Sequence, residues 1–474
     1  MDTVRIETLG CRLNQIESEA AASLFLDCGF SVCMDGITAS SPENPQLRIA
    51  IINTCTVTQK AEQKARRIIR LMLKKAPSAV VIVTGCYAQL SAKEIKAIDE
   101  RVCVIGGQIK DRLSIVPQLL SDELKNNSWN PLLFVKKLEQ KLEAVPQRHK
   151  NLADDAFKLY TSNLVAHSRA SIKIQDGCNN NCSFCAIHIA RGRSVSLDPE
   201  TIVERVKQLE AKGYDEVVIT AVNIAQYRGF YEDKECRISE LLSLILKQTN
   251  RINIRISSLY PEVVDEAFCG VIKNNRIRPH FHISVQSGSD KILSAMNRKY
   301  DSKTVIEACR MLQKTRNKPF IACDIITGFP GETDEDFKKT LDLCKACDFV
   351  WVHAFPYSER PGTQAYLMKN KIPQSVSRKR AEELTLWAIE NKIQYLQAFV
   401  GKKMNAILET VKKPSGIINA DKFIYHAVTE NFIHCEIVSN AMLEPNKTVT
   451  VIIQKVLKER IKKGGDIEVL AQII

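Results

Sequence analysis

Apolar strand-like runs alternate with amphipathic helix-like segments in the first part of the chain, up to about residue 118. Three runs rich in β-branched residues, VRIETL, LRIAIINTC and AVVIVTGC, are typical of buried strands. Between the last two, apolar residues recur at helical spacing from about Val57 to Lys75. Because this alternation is typical of a parallel sheet covered by helices, we predict a three-layer α/β domain here.

The same alternation returns between about Ser168 and Lys392 and lasts longer. Six strand candidates follow one another there: SIKIQDG, EVVITAVN, NIRISSL, HFHISVQ, ACDIITGFP and FVWVHAF. Six strand–helix units fit a partial TIM-like (βα)6 barrel. Beyond about Val400 the pattern changes to five short alternating strands separated by turn residues, which predicts a small β-barrel.

Four regions result from these patterns, and the predicted fold class is α/β with a small all-β end. The polar segment that carries the run KKLEQKLEAVPQRHK breaks the alternation and is predicted to connect two domains, in part as a helix. The predicted domains are an N-terminal α/β domain at 1–118, a linker or insert at 119–166, a partial barrel at 167–399 and a C-terminal β-barrel at 400–474.

Composition narrows the class of protein. With 474 residues the chain is too long for one ordinary domain. No run of about 18 apolar residues is present, so no membrane span is predicted. The start MDTVRIETLGCRLNQ lacks the basic and apolar regions of a signal peptide, which predicts a cytoplasmic location. The net charge of +13 indicates either an anionic partner such as nucleic acid or a basic soluble surface.

Sixteen cysteines are many for a cytoplasmic chain. A disulfide framework is not expected in a reducing compartment, so metal binding or catalysis is the first interpretation, with some cysteines packed in cores. The tightest group is Cys178, Cys182 and Cys185, spaced C-x3-C-x2-C on a loop after the first predicted barrel strand. Active sites of such barrels lie at the carboxyl ends of the strands.

The spacing of this group favours an iron–sulfur cluster over zinc or packing. Zinc sites more often have two close cysteine pairs, or cysteines with histidines. Three thiolates on a four-iron cluster would leave one iron open for chemistry.

Three further cysteines, Cys11, Cys55 and Cys86, each end a predicted strand of the first domain. In a wound α/β sheet the crevice outside the carboxyl ends of the strands is the ligand site. These cysteines are therefore predicted to converge, although they lie far apart in sequence. On the residues alone, a second three-thiolate cluster and ordinary buried packing are equally good interpretations.

Several motifs resemble known sequences. The segment IQDGCNNNCSFC resembles the radical S-adenosylmethionine (SAM) signature. The segments TLGCRLNQIESE, INTCTVTQKAEQKARR and TGCYAQ are similar to the N-terminal cysteine motifs of the methylthiotransferase family. The barrel of that family is resembled by HFHISVQSGSDKILSAMNRKY, DIITGFPGETDEDF and HAFPYSERPGTQA, and the tail resembles its RNA-binding TRAM domain. The resemblance covers nearly the whole chain.

The resemblance implies two [4Fe–4S] clusters and SAM as cofactors. Cys178, Cys182 and Cys185 would hold the cluster that binds SAM and cleaves it to a 5′-deoxyadenosyl radical, with electrons from an external donor. Cys11, Cys55 and Cys86 would hold an auxiliary cluster that takes part in sulfur insertion at C2 of an adenine. A second SAM would supply the methyl group.

Within the family, INTCTVTQKAEQKARR looks most like the branch that acts on N6-threonylcarbamoyladenosine beside the tRNA anticodon. The alternative in the same reaction class is N6-isopentenyladenosine in tRNA. A branch that modifies an aspartate of a ribosomal protein is disfavoured by the cationic helix and the TVTQKA motif. An alternative of another class is a non-catalytic, zinc-containing RNA-binding protein.

Arg255, Ser257 and Gln286 are candidates to hold the carboxylate and ribose of SAM by hydrogen bonds. Each is equally well explained as a buried structural polar residue. Two places depart from the family pattern. Ala221 and Ala225 replace glycines, and their methyl groups would crowd the backbone approach to SAM. After the triplet, the family has a proline and an aromatic residue where this chain has Ile187, His188 and Ile189, which affects the expected local contacts of SAM or substrate.

Contacts with RNA are predicted in two places. The segment KAEQKARRIIRLMLKK carries seven basic residues and one acid, which suits phosphate binding or a solvated helix face. The C-terminal domain offers lysines that would contact the RNA backbone without reading its sequence. They are Lys402, Lys403, Lys412, Lys413, Lys462 and Lys463. A single-stranded anticodon loop lets the target base leave its stack at little cost.

Overall fold

The structure is a computed structural model that describes residues 3–125, 129–144, 156–166, 169–412 and 423–474. It divides into two units. Unit 1 comprises Met1–Ala166, Lys173–Leu197 and Ser358–Tyr366, whereas unit 2 comprises His167–Ile172, Asp198–Tyr357 and Leu367–Ile474.

A five-stranded parallel sheet forms the centre of unit 1, in the order β2-β1-β3-β4-β5. All residues of β3 and β4 are buried, as continuous apolar runs require when both faces of a sheet are covered. The predicted strands are confirmed as β1, β3 and β4. Strands β2 and β5 were not predicted, because they are short and carry weak patterns. The bounds are β1 (Thr3–Thr8), β2 (Ser31–Cys33), β3 (Ile49–Thr54), β4 (Val80–Gly85) and β5 (Val102–Gly106).

Helices cover both faces of this sheet and make it three-layered. Ile49 and Ile51 belong to one apolar core with Phe25 and Leu138, whereas the alternate residues of the same strand belong to a second core. Leu138 lies in the segment predicted as a polar connection, so one face of its helix packs on the sheet. The helices are α1 (Arg12–Asp27), α2 (Gln59–Lys75), α3 (Cys86–Leu90), α4 (Ala92–Lys96), α5 (Val116–Lys125) and α6 (Pro131–Ala144), with a 3-10 segment at Gly107–Ile115.

Strand β6 (Ala170–Asp176) begins in unit 2 and ends in unit 1. Within unit 1 it is followed by the cysteine loop, the one-turn helix α7 (Ile187–Arg191) and the short strand β7 (Val195–Ser196). Strand β7 returns antiparallel to the end of β6, with Gln175 opposite Ser196. The loop between them is therefore closed at its base by strand pairing.

The remaining predicted barrel strands are all present in unit 2. Strand β11 pairs in parallel with β8, and β12, β13 and β14 form a parallel sheet in that order. The strands are β8 (Glu216–Ala221), the hairpin β9 (Gly229–Tyr231) and β10 (Lys234–Cys236), β11 (Asn253–Ile256), β12 (His280–Gln286), β13 (Phe320–Thr327) and β14 (Trp351–Pro356). The helices are α8 (Pro199–Ala211), α9 (Ile238–Gln248), α10 (Glu266–Ile272), α11 (Asp290–Ala295), α12 (Ser302–Thr315), α13 (Asp334–Ala346), α14 (Gln364–Leu367), which straddles the unit boundary, and α15 (Gln374–Gln397).

The C-terminal strands close into a barrel in the order β15-β16-β17-β19-β18, around a core that includes Tyr425, Ile437 and Val451. All five predicted strands are confirmed, and with them the predicted fold class. Of the predicted RNA contacts, Lys413 and the side chain of Lys412 lie outside the described residues. The elements are β15 (Lys403–Lys412), β16 (Phe423–Thr429), β17 (His434–Ser439), β18 (Thr448–Val456), α16 (Lys458–Lys462) and β19 (Val469–Ile473).

Among the helices that the structure describes, none combines the length and apolar character needed to cross a membrane.

Candidate active site

The first three cysteines follow three adjacent strands of the sheet in unit 1. Strands β1, β3 and β4 lie side by side and run parallel, with Thr8 opposite Asn53 and Thr54 opposite Gly85. This register brings the carboxyl ends of the strands to one edge, where the residues that follow them meet. We call Cys11, Cys55 and Cys86 the strand-end trio. Cys11 caps α1, Cys55 directly follows β3 and Cys86 opens α3.

Two glycines allow the loops of the trio to approach closely. Gly10 has φ +125°, and a Cβ there would lie 2.5 Å from Cβ and 3.1 Å from Sγ of Cys55. Gly85 has φ +96°, and a Cβ there would lie 2.3 Å from the carbonyl oxygen of Thr54. Any larger residue at either position would push the strand ends apart, so the sequence needs glycine before two of the three cysteines.

A buried asparagine fixes the carbonyls that precede two of these cysteines. The amide of Asn14 donates to the carbonyl oxygens of Leu9 (3.0 Å) and Thr54 (3.1 Å). The amide of Asn53 in turn donates to the carbonyl oxygen of Asn14 (3.0 Å) and to Oγ of Ser18 (3.2 Å). The first turns of α1 are thereby locked to the end of β3.

The thiols of the trio lie in an environment that suits a bound cation. Burial, together with the neighbouring Cys11 and Cys86, raises the pKa of Cys55 to about 12. Burial also raises the pKa of Cys86. The backbone N–H of Val57 points at Sγ of Cys55 (3.5 Å), as a donor to a thiolate would. Metal binding displaces the protons of thiols, so these thiol groups are suited to bind a metal as thiolates.

The second group, Cys178, Cys182 and Cys185, is here called the loop triplet. It follows the end of β6, and Cys178 donates its N–H to the carbonyl oxygen of Gly192 (3.0 Å). The N–H groups of Asn180 and Ile187 point at Sγ of Cys178 and of Cys185, each at 3.4 Å. Hydrogen bonds to sulfur are one of the means by which proteins tune iron–sulfur clusters, so the loop fits such a cofactor.

A buried group of charges, which sequence reasoning missed, lies in unit 1 with both cysteine groups. Arg191 donates to Oδ1 of Asp176 (2.9 Å) and to Oδ1 of Asn14 (2.9 Å), and its Nη1 lies 3.3 Å from Oε1 of Glu17. All five charged side chains are nearly inaccessible to solvent. The buried ion cluster consists of Glu17, Lys110, Lys173, Asp176 and Arg191. The sequence gives no sign of it, because its members come from four separate segments.

Opposite charges hold the acids of this cluster ionised. Burial alone would raise the pKa of Glu17, but Lys110, Arg191 and Lys173 outweigh it and lower the value to about 2. Burial likewise opposes ionisation of Asp176, yet Arg191 and Lys173 bring its pKa well below the usual range. Two carboxylates thus face three basic side chains.

In unit 2, all the described contacts of Arg255 are with protein groups. Its Nε and Nη2 bind the two carboxylate oxygens of Glu216 at 2.8 and 3.0 Å. Its remaining donors reach the carbonyl oxygens of Thr429 (3.1 Å) and Glu430 (3.3 Å), and the guanidinium lies over the ring of Phe432. The geometry therefore favours the structural alternative for this residue over a contact with SAM.

The other two SAM candidates lie at the carboxyl ends of barrel strands. Oγ of Ser257 is buried and has no hydrogen-bond partner among the described residues, and the same holds for Oγ1 of Thr220 on the neighbouring strand. A buried hydroxyl without a partner costs about 1–3 kcal/mol, so both fit a ligand. Gln286 ends β12 at φ +74°, beside a break in the register with β13. A non-glycine residue at positive φ is strained, and such strain is often found at functional sites.

The three departures from the family pattern have different surroundings. Ala221 ends β8, and Ala225 donates its N–H to Oδ1 of Asn223 (3.1 Å) in the turn that follows. His188 lies in α7, and its Nδ1 is buried without a partner in the described part of the chain.

Within the described ranges, no group of three or more cysteine, histidine, aspartate or glutamate side chains is placed to hold a single metal ion. A zinc ion needs all its sulfur ligands at about 2.3 Å, which draws them into a tight group. A four-iron cluster spans a wider gap because each thiolate binds a different iron.

The predicted basic helix presents its charges on one side. Ala65, Ile69 and Met72 of α2 are buried, whereas five of its basic residues form an exposed stripe. Arg66 is excluded from the stripe because it binds Oη of Tyr87 (2.8 Å) and Glu94 (3.1 Å). The basic stripe consists of Lys60, Lys64, Arg67, Arg70 and Lys74.

Two family models match the chain. Residues 172–344 match the radical SAM superfamily, and residues 3–107 match the uncharacterized protein family UPF0004. Among solved structures, the radical SAM methyltransferase TsrM from Kitasatospora setae, with cobalamin and a [4Fe-4S] cluster bound, shares the fold at a TM-score of 0.51 and 16% identity. The match covers 77% of each chain.

Curated relatives resemble the chain from end to end. The threonylcarbamoyladenosine tRNA methylthiotransferase MtaB of Treponema pallidum is 42% identical over 92% of this chain and 95% of its own length. Its counterpart in Thermotoga maritima is 36% identical over 86% and 87%, respectively. That of Bacillus subtilis is 32% identical over 98% and 95%. The chain therefore belongs to the radical SAM family of tRNA methylthiotransferases, whose superfamily uses SAM and a [4Fe–4S] cluster.

Proposed function

We propose that this enzyme adds a methylthio group to C2 of N6-threonylcarbamoyladenosine beside the tRNA anticodon, using SAM, two [4Fe–4S] clusters and an external electron donor. The convergence of the strand-end trio at one edge of the sheet carries the proposal, because a second cluster is what sulfur insertion needs. Five relatives that are 31–42% identical over most of the chain bear the name of this substrate. A relative named for N6-dimethylallyladenosine is 30% identical, so the names favour threonylcarbamoyladenosine.

Each group of cysteines has its own role in the proposal. The loop triplet holds the cluster whose open iron binds SAM, and the strand-end trio holds the auxiliary cluster. When bound, these cofactors supply radical formation and sulfur. The chain supplies thiolate ligands and N–H donors to sulfur at Cys55, Cys178 and Cys185.

The contacts to SAM come from polar groups at the carboxyl ends of barrel strands. The partnerless hydroxyls of Ser257 and Thr220 are suited to the ribose or carboxylate of SAM, and the strained Gln286 offers an amide. Arg255 is assigned instead to the structural ion pair with Glu216.

Contact with the tRNA is proposed through phosphates. The basic stripe of α2 begins five residues after Cys55, so it would bring the RNA backbone beside the auxiliary cluster. The exposed lysines of the C-terminal barrel, Lys402, Lys403, Lys462 and Lys463, would add contacts that fix position without reading sequence.

The substrate is tested with purified, anaerobically reconstituted enzyme, SAM, sulfide and a strong reductant. We expect the methylthio mass increment in nucleoside digests of tRNA that carries N6-threonylcarbamoyladenosine, and none in tRNA that carries N6-isopentenyladenosine. The opposite pattern would move the enzyme to the other branch. Stoichiometric zinc without iron in the purified protein, in place of about eight irons per chain, would instead support the RNA-binding alternative.

The close approach between Gly10 and Cys55 is expected to be necessary for binding of the auxiliary cluster. Gly10→Ala should release roughly half of the bound iron, because its new Cβ meets Cβ of Cys55 at 2.5 Å. The matched control is Gly29→Ala, which has a similar positive φ of +83° but nothing within 4 Å. The control should lose about 1 kcal/mol of stability from backbone strain and keep all its iron. Equal iron contents in the two variants would contradict the proposed role of the strand-end trio.

A further inference from the structure

The buried ion cluster has no role in the proposed function so far, although it occupies unit 1 together with both cysteine groups. We propose that Arg191 is a positioning residue that ties the loop triplet to the strand-end trio and holds a positive charge beside the auxiliary cluster. This inference rests on the proposed function, because it requires that the strand-end trio bind a cluster.

The hydrogen bonds of the Asn14 side chain connect Arg191 to the loops of the strand-end trio. Its amide nitrogen is committed to the carbonyls before Cys11 and Cys55, namely those of Leu9 and Thr54. Its amide oxygen accepts from Nη2 of Arg191 at 2.9 Å. One asparagine therefore lies between the guanidinium and the loops of two trio cysteines, and its orientation is fixed from both sides.

The other end of the guanidinium reaches the loop triplet. Arg191 lies six residues after Cys185, and its Nη1 donates to Oδ1 of Asp176, two residues before Cys178. Asp176 also accepts from the N–H of Gly177 at 2.8 Å and from Nζ of Lys173 at 2.8 Å. Arg191 thus joins the start and the end of the triplet segment. Because it also binds Asn14, a displacement of one cysteine group should displace the other.

The buried ion cluster carries a net positive charge. The buried ion cluster contains two acids and three basic side chains, which leaves one formal positive charge away from solvent. Lys110 pairs with both acids of the cluster, since its Nζ contacts Oε1 of Glu17 and lies 3.6 Å from Oδ2 of Asp176. A guanidinium stays charged at any accessible pH, and Asp176 together with Glu17 raises the pKa of Arg191 well above its usual value against the effect of burial.

This charge lies close to the strand-end trio. Nη2 of Arg191 donates to Oδ1 of Asn14 at 2.9 Å, and Sγ of Cys11 lies 3.8 Å from the same oxygen atom. A four-iron cluster with three thiolates is a net anion, and reduction makes it more negative. A fixed positive charge in a water-poor site therefore favours the reduced form and raises the reduction potential.

The test measures the auxiliary cluster by itself, in a parent variant that carries Cys178→Ala, Cys182→Ala and Cys185→Ala. This parent should retain about four irons per chain. If it retains none, the proposed second cluster is wrong, whatever Arg191 does. In the parent, Arg191→Gln should shift the midpoint potential to more negative values, as followed by electron paramagnetic resonance during a redox titration. Glu17→Gln should shift it to more positive values.

Opposite signs separate the proposal from a merely structural role, which would move both variants in one direction. Arg191→Lys keeps the charge, so it should keep the potential near that of the parent. It lacks the fork of two nitrogens by which Arg191 binds Asn14 through Nη2 and Asp176 through Nη1. It should lose iron to a chelator about 10- to 100-fold faster, as expected when a supporting contact is removed. The exposed Lys93→Gln should change neither quantity, because water screens its charge.

Unshifted potentials in Arg191→Gln and Glu17→Gln, or shifts of the same sign, would overturn the proposal. Should Arg191→Gln fail to hold four irons, Lys110→Gln takes its place, since Lys110 also pairs with Glu17 in the same buried ion cluster. A negative shift in that variant against a positive shift in Glu17→Gln supports the charge argument, and any other pair of signs refutes it.

Discussion

Cys55→Ala is expected to abolish methylthiolation of tRNA while the enzyme still cleaves SAM, whereas Cys182→Ala is expected to abolish both activities. The reason is that the loop triplet is proposed to bind the cluster that cleaves SAM, whereas the strand-end trio is proposed to bind the cluster needed for sulfur insertion. Removing one thiolate of the loop triplet removes the cluster that reduces SAM, so no radical is formed. Removing one of the strand-end trio leaves that cluster in place and removes only the proposed route for sulfur.

The two activities can be followed in the same reaction. Chromatography measures 5′-deoxyadenosine, and mass spectrometry of digested tRNA measures the methylthio nucleoside. Both variants should keep about half of the roughly eight irons of the unmodified enzyme. Cys103→Ala is the matched control, because Cys103 is a buried cysteine of the same sheet that lies inside a strand instead of after one. It should keep both activities.

Formation of the methylthio nucleoside by Cys55→Ala would refute the auxiliary cluster as it is proposed here. Loss of SAM cleavage in that variant would show that the two groups depend on each other. The bond between Arg191 and Asn14 offers a physical path for such dependence, because Asn14 holds the carbonyl that precedes Cys55.

Sequence patterns located the strand ends well because the relevant information is local. A continuous apolar run such as IAIINT predicts a buried strand, and the cysteine that follows it must then lie at the carboxyl edge of the sheet. The same reasoning failed for β2 and β5, which have three and five residues. Such short strands are held by pairing with neighbours, which one segment of sequence does not reveal.

Long-range pairings were beyond sequence reasoning for a different reason. Asn14 and Arg191 lie 177 residues apart, yet they share a buried hydrogen bond. Glu17 lies in α1 with a side chain that is 1% exposed, and its basic partners come from other segments of the chain. Arg255 was a candidate for SAM because it is a polar residue on a barrel strand, and the structure pairs it with a buried carboxylate on the neighbouring strand. In each case the partner decides the role, and only the fold brings the partner near.

The buried carboxylate that pairs with Arg255 belongs to Glu216, and it is expected to stabilise unit 2. Glu216→Gln should destabilise unit 2 by about 3–5 kcal/mol, because it leaves buried charges without their partner. Glu216 binds Arg255 through both carboxylate oxygens, and its Oε2 also accepts from Nε of Arg278 at 2.9 Å. Chemical denaturation followed by circular dichroism measures the change. Glu235→Gln, which breaks an exposed pair with Arg237, is the control and should cost at most about 1 kcal/mol.

The contribution of Glu216 should depend on pH in a defined direction. Burial would raise the pKa of this carboxyl, but Arg255 and Arg278 outweigh it and lower the value to about 2. In the unfolded chain the pKa is about 4.3. A group with a lowered folded pKa stabilises the fold above its unfolded value, and this stability is lost as the pH falls through the folded value. The unmodified protein should therefore lose stability between about pH 4.3 and pH 2 more steeply than Glu216→Gln.

The consequence extends to the C-terminal barrel. The guanidinium that Glu216 holds also donates to the carbonyls of Thr429, the last residue of β16, and of Glu430, which follows it. Losing the carboxylate should loosen this attachment, so Glu216→Gln should also bind tRNA more weakly than Glu235→Gln at a temperature where both variants are folded. If the two variants unfold at the same denaturant concentration at pH 7, the ion pair does not support unit 2, and Arg255 again becomes a candidate for SAM.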